Sequence, residues 1–233
     1  MLFLFYFIFC LNISLSYGNA GAVQAAIYYP TGDKSCSSDG LNWNDGKLCF
    51  NFLDKAPQNQ FPTSWAVFVG QDLPVWNDET RPVFKFEHGI PRGSVIGNAT
   101  FCAYAYWGHC NQVAPRYLCE VGDVYASHIF VSGEIGVPDY NSSVLGSEKV
   151  WLPDQNGASI GSGRYWCVNA TGWVAEDAAN GRNSTSVRLH VTEHHAIREE
   201  WASQLRIYSR LHNLSQPYLE VDYEYVVPPP TER

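Results

Sequence analysis

Between residues 80 and 192 apolar and polar positions alternate in short runs separated by turn residues: "VFKFEHG", the first part of "SVIGNATFCAYAYW", the β-prone tract "RYLCEVGDVYASHIFVSGEIG" and "STSVRLHVT". Successive side chains of a strand point to opposite faces. In the last run Val187, Leu189 and Val191 therefore share one face, and Arg188, His190 and Thr192 the other. That pattern predicts a strand with one buried and one wet face. Short β-like runs at this spacing predict an all-β sandwich or barrel.

Residues 19–79 add further extended pieces, "AVQAAIYY", "SWAVFVG" and "LPVW", around the polar tract "PTGDKSCSSDGLNWNDGKLC". The tract is rich in Gly, Asn, Asp and Ser and reads as a loop. Its oxygen-bearing side chains lack the spacing of a twelve-residue calcium loop. The period changes after residue 193. In "EHHAIREEWASQLRIYSRLHNL" the apolar positions Ile197, Trp201, Leu205 and Tyr208 recur at four, four and three, the spacing of a helical stripe. Pro217 ends it, and "YLEVDYEYVV" reads as a final strand. The expected organisation is a signal segment over 1–18, an N-terminal β-rich extension over 19–79, a β domain over 80–192, and a C-terminal helix and strand over 193–233.

Residues 1–18, "MLFLFYFIFCLNISLSYG", form an apolar run closed by Ser16, Tyr17 and Gly18, the pattern of a secretory signal peptide. No later segment reaches the roughly 18 to 20 apolar residues that span a bilayer. The closing "VVPPPTER" is unlike the hydrophobic tail of a lipid-anchor signal. A secreted, extracellular protein is expected, with no direct membrane insertion of the mature chain.

Cysteine usage agrees. Removing Cys10 with the signal leaves Cys36, Cys49, Cys102, Cys110, Cys119 and Cys167, an even number that suggests a disulfide framework in an exported chain. Six cysteines allow fifteen pairings; Cys36 and Cys49 bracket the polar tract and are expected to close it locally. Asn-x-Ser/Thr sequons at Asn98, Asn141, Asn169, Asn183 and Asn213 fit a glycoprotein surface. The net charge of −8 comes without a basic stripe, so the electrostatic footprint of a nucleic-acid binder is missing. Aromatic residues make up 15% of the chain, which fits strands and contact surfaces better than a helical bundle.

The stretch "SIGSGRYWCVNATG" places Tyr165 two residues before Cys167, approached by Ser-Gly. With "GSVIGNATFC" and "RYLC" upstream of it, the tract from about Val83 to Val191 resembles a variable-type immunoglobulin domain of the kind found in the polymeric immunoglobulin receptor and its myeloid relatives. "GSVIGNATFC" is similar to the start of strand B, "RYLC" to strand C and "SGRYWC" to strand F. The resemblance implies an immunoglobulin-like β-sandwich over residues 80–192. It also implies a Cys102–Cys167 bridge joining strands B and F across the core, with Tyr165 in the tyrosine corner, and an additional Cys110–Cys119 bridge. The sequence departs from the family at Leu118, where a core tryptophan is usual, and at Gly161, where an acidic residue is usual. The resemblance further implies that "WGH" and "NATGWVAED" lie in loops gathered at one end of the domain, offering Trp107, His109 and Trp173 as contact residues. The implied function is loop-mediated binding of an extracellular protein or glycan, as a soluble receptor, adhesion factor or decoy, without catalysis, cofactor or metal.

Rival chemistries rest on particular residues. His190, His194 and His195 sit close in sequence, but Val191 stands where a zinc-protease helix needs its glutamate. Ser159 lies in the pattern Gly-x-Ser-x-Gly, yet a nucleophile elbow needs a buried strand before it and a helix after it, and "LPDQN" precedes. A secreted hydrolase or metal-binding enzyme is the rival built on these residues. A viral or parasite surface glycoprotein held by a membrane-anchored partner is the other. Neither the ligand nor the oligomeric state is legible in the residues.

Overall fold

The computed structural model describes residues 23–38, 46–50, 66–72, 78–110, 123–152, 163–191, 203–208, 210, 212 and 214–225. They form β1 (Val23–Tyr28), β2 (Gly32–Ser38), β3 (Gly46–Phe50), β4 (Ala66–Asp72), β5 (Asp78–Glu87), β6 (Val95–Cys110), β7 (Val124–Ile129), β8 (Lys149–Leu152), β9 (Arg164–Asn169), α1 (Thr171–Ala179), β10 (Ser184–Val191), β11 (Ser203–Tyr208) and β12 (Tyr218–Glu224). A short 3-10 turn covers Val137–Tyr140. The named strands pair antiparallel throughout.

Two long strands organise this network. One edge of β6 takes β12 along Val95–Cys102 and then β11 along Ala105–Cys110, while its other edge takes β9. β5 pairs with β4 through its first residues, with β10 through its last, and with β2 on its opposite edge. The result is two antiparallel sheets, β1-β12-β6-β9 and β3-β2-β5-β10-β7-β8, joined through β11 and β4. The sheets pack through Phe84 and Phe86 of β5 against Phe101 of β6, with ring centroids 5.9 and 5.8 Å apart. Val187, Leu189, Leu205, Ile207, Leu219 and Val221 are fully buried in the same core. At the far edges Trp151 of β8 donates its indole N–H to the Trp166 carbonyl of β9 at 2.8 Å. The chain is thus an all-β sandwich carrying one helix among the described residues.

Several local expectations are corrected. The tract read as a polar loop contains the hairpin of β2 and β3, in which Cys36 and Cys49 stand directly opposite. Residues 203–208, read as part of a helix, form β11. Leu205 and Ile207 both project into the core, and the strand's backbone groups are paired on both sides by β4 and β6. Tertiary pairing outweighs the local stripe; the rest of the expected helix, residues 193–202, lies outside the described residues. Conversely, "NATGWVAED" is no loop, since Thr171–Ala179 is helical. Asn180 and Gly181 stop the helix. Gly181 adopts φ 70°, its N–H bonds the Ala178 carbonyl and the Arg182 N–H bonds the Asp177 carbonyl, the two bonds of a Schellman cap.

The expected wet face of β10 is covered. Ser186, Arg188 and His190 are all buried. The segment 131–142 crosses this outer face, where Val83, Ile129, Val131, Ile135 and Tyr140 make a second apolar cluster. Arg188 holds it by donating to the carbonyls of Tyr140 and Ser142, each at 2.9 Å. Arg81 stacks over the Tyr140 ring at 4.3 Å and donates to Asn141 Oδ1 at 2.8 Å.

Candidate functional site

The outer face of the β1-β12-β6-β9 sheet has no such cover among the described residues. Across β1 and β12 it carries the pairs Val23 with Glu224, Ala25 with Asp222 and Ile27 with Glu220. At the Ile27 end, Tyr29, Tyr165, Leu214, Gln216, Tyr218 and Glu220 join Ile27 around a groove of about 220 Å³. Leu214 is 89% exposed, Tyr29 55% and Ile27 54%. Large apolar side chains gathered on open surface are the composition of a contact site.

This end is built stiffly. Cys102 and Cys167 are directly opposite on β6 and β9, and the next same-face pair is Tyr104 with Tyr165. The Cys102–Cys167 disulfide therefore sets the register of the tyrosine pair. Tyr104 meets Tyr165 edge to face at 5.2 Å and stacks on Tyr208 at 5.3 Å, and Tyr165 meets Tyr218 at 5.3 Å. Such ring pairs favour edge-to-face and offset geometries. Tyr104 donates its hydroxyl to the Gly163 carbonyl at 2.6 Å and Tyr165 to the Gln216 carbonyl at 3.2 Å. Burial pushes the Tyr165 and Tyr218 hydroxyls upward, aided by Tyr218 beside the first and Glu220 beside the second. Both remain neutral donors near pH 7.

The bridge pairing implied by the resemblance is present, but its setting differs. Cys102 and Cys167 belong to neighbouring strands of one sheet, whereas the immunoglobulin bridge spans two sheets. Tyr165 accordingly lies on the outer face instead of at a core corner. Cys36–Cys49 is formed as expected. Cys119, Leu118, Gly161 and Asn213 lie outside the described residues, as does any Cys110–Cys119 bridge. Asn98, Asn141, Asn169 and Asn183 are exposed. Asn98 and Asn169 flank the same outer sheet face, on the side of the disulfide away from Tyr104.

The three expected contact residues are not brought together. Trp107 and His109 stand within β6, where their backbones oppose Arg206 and Gln204 of β11, not in a loop. Trp173 is 4% exposed in α1 and stacks on His128, so its ring is a core element. The helix start is tied to Ala99 of β6 through the Ala170 N–H at 2.8 Å, about eight residues or roughly 26 Å along the strand from Trp107. Sequence reasoning missed Ile27, Tyr29, Leu214 and Tyr218 as site residues; only their aromatic and apolar character signalled them, since they converge from distant segments.

Of the residues behind the rival chemistries, Ser159, His194 and His195 lie outside the described residues. His190 is held in a polar cluster in which Ser127 donates to Glu148 Oε1 at 2.6 Å and His190 Nε2 approaches the same oxygen at 3.2 Å. Ser127 is fully buried and also lies 3.3 Å from His190 Nδ1, so this cluster ties β7 and β10 to the residue before β8. No group of three or more metal-binding side chains gathers among the described residues. A charged cleft of about 430 Å³ surrounds Asp33, Lys85 and Arg210. Two of its three cations are already engaged, Arg210 with Asp33 at 3.1 Å and Lys85 with the Gly133 carbonyl at 2.8 Å; Lys34 is the third.

No known family model matches the chain. No curated protein matches it either. The class defined by fold and site is therefore a disulfide-bonded all-β sandwich with an exposed aromatic groove. No helix of the described residues is long and apolar enough to cross a membrane.

Proposed function

We propose that this protein is a secreted glycoprotein that binds an extracellular protein or glycan through the tyrosine-lined groove between β1, β9 and β12. The observation that carries the reading is the convergence of Ile27, Tyr29, Tyr165, Leu214 and Tyr218 on one exposed face beside a disulfide. Tyrosines lose little conformational entropy on binding and offer both an apolar face and a hydroxyl. Two disulfides suit an oxidising, extracellular compartment, and the apolar segment 1–18 supplies the export signal. Glycans on Asn98 and Asn169 shield the other end of the same face and leave the aromatic end as the contact surface. The likeness of residues 83–191 to a variable-type immunoglobulin domain favours recognition as the class of activity, although contact is made by a sheet face here and not by end loops.

The test is binding of the glycosylated mature protein to cultured cell surfaces and to a glycan array, against Leu214→Asp and Tyr165→Ala. Leu214 is so exposed that Leu214→Asp leaves the fold intact. A loss of about tenfold or more in both variants is expected for central contacts. Binding that survives both substitutions rejects the groove.

A further inference from the structure

We infer that β1 pairs antiparallel with β1 of a second copy, making a twofold dimer in which the β1-β12-β6-β9 sheet runs continuously through both chains. β1 terminates its sheet, with β12 on one side and no strand on the other among the described residues. An open strand edge displays unpaired N–H and C=O groups, and proteins guard such edges with lysine, proline, charge or bulges. The other terminal strands follow that rule in sequence: β3 carries Lys47, β8 Lys149 and β9 Arg164. β1 reads VQAAIY, with no charge and no proline. Its six pairs with β12 run without a bulge, so the edge is straight.

Symmetry restricts the register, and the exposed apolar pair Val23 and Ile27 chooses within it. A twofold axis normal to the sheet keeps each face on its own side, so only residues of the same parity can face each other across the axis. Centred on Ala25, the pairing sets Ala25 opposite Ala25, Val23 opposite Ile27 and Gln24 opposite Ala26. Val23 and Ile27, 74% and 54% exposed, then cover each other on the outer face. The acidic character of the chain opposes association at most surfaces, since the net charge is −8. Here the nearest carboxylate column, Glu220, Asp222 and Glu224 of β12, lies three strand spacings from its symmetry mate, about 14 Å. That exceeds the Debye length of about 8 Å at physiological ionic strength, and the repulsion is largely screened. An uncharged, self-complementary strand thus favours a second copy over a charged foreign segment.

Sedimentation equilibrium of the glycosylated mature protein tests the inference, with Ala25→Lys and Ala25→Glu as variants. The wild type is expected at twice the monomer mass at about 100 μM, a concentration that populates even weak dimers. Each variant alone sets like charges opposite each other on the axis and is expected to weaken association at least about tenfold, while an equimolar mixture of the two restores it. Amide exchange in residues 23–28 of the wild type, slowing as concentration rises, gives the same answer without any substitution. A wild type that stays monomeric, or a dimer indifferent to both variants and to the exchange of β1, overturns the inference; in the monomeric case the edge is left to another chain or to the protein's own remaining residues.

Discussion

Asp177 Oδ2 stands 3.0 Å from His128 Nε2 and accepts the Thr185 hydroxyl at 2.6 Å, while Arg182 donates to the other oxygen at 2.9 Å. One buried carboxylate on α1 therefore ties the helix to β7, to β10 and to the residue that follows its own cap. Trp173 lies over the His128 ring, 5.9 Å between centroids, and closes the site from water. A charge buried with its partners contributes little net stability, but removing one member strands the others. Asp177→Ala is expected to cost about 3 to 5 kcal/mol, measured by urea unfolding, and Asp177→Asn less, because the amide retains an acceptor. Equal and small losses in both would mean that the helix is held by Trp173 and Val174 alone.

The same network gives a pH dependence. His88 Nδ1 accepts the Ile90 N–H at 3.1 Å, so the neutral ring carries its proton on Nε2, facing Thr185 at 3.2 Å. The ring is 8% exposed, with Tyr28 edge-on at 5.9 Å. Protonating Nδ1 sets two N–H donors against each other. Burial depresses the His88 pKa below its ordinary value, with the Asp177 carboxylate pulling weakly the other way. The unfolded chain then binds the proton more readily than the folded one, so stability falls as pH drops below about 6.5 and levels off below the folded-state pKa. The slope from this one group is at most about 1.4 kcal/mol per pH unit. His88→Asn keeps an acceptor for Ile90 without titrating, and its stability between pH 7 and 5 is expected to change less steeply. Parallel profiles for the two proteins would remove His88 from the account.

The disulfides separate in the same kind of measurement. Cys102–Cys167 closes a loop with a sequence separation of 65, and Cys36–Cys49 one of 13. Loop-closure entropy assigns about 4 kcal/mol to the longer and about 3 to the shorter. Paired alanine substitution at 102 and 167 is also expected to weaken binding at the groove, because that bridge pins Tyr104 opposite Tyr165. Substitution at 36 and 49 leaves the groove untouched. Unfolding midpoints and cell-surface binding, measured on both double variants, check the contrast.

What was legible in the sequence follows from where the signal is local. The alternation of "STSVRLHV" gives β10, and that of the first part of "SVIGNATFCAYAYW" gives the beginning of β6, whose continuation through Trp107 and His109 reads as a loop in the sequence alone. Residues 203–208 carry two periods at once, since Leu205 fits a helical stripe with Trp201 but also alternates with Ile207; only the flanking strands decide. The helix at Thr171–Ala179 did carry a signal, the stop formed by Asn180 and Gly181, hidden by reading the stretch as an inter-strand loop. The second buried face of β10 had none, because its cover comes from residues about fifty positions earlier. The tyrosine groove is harder still: Ile27, Tyr165 and Leu214 meet only after the sheet has formed.

That cover is itself a testable element. Arg188, 5% exposed, donates to the carbonyls of Tyr140 and Ser142, closing the end of the 3-10 turn. Hydrogen bonds from a charged donor contribute roughly 1.5 to 3 kcal/mol each, and unsatisfied buried carbonyls carry their own penalty. Arg188→Met keeps the aliphatic volume and removes the donors, so a loss of about 2 to 4 kcal/mol is expected. The loss has a place as well as a size. Val187 and Leu189, on the opposite face of β10, stay packed in the main core, so the sandwich stays folded while residues 131–142 open. Faster amide exchange confined to that segment, with unchanged exchange in β6 and β12, is the expected result. Uniform acceleration across all strands would instead make the cover part of the global folding unit, and Arg188 a core residue in the full sense.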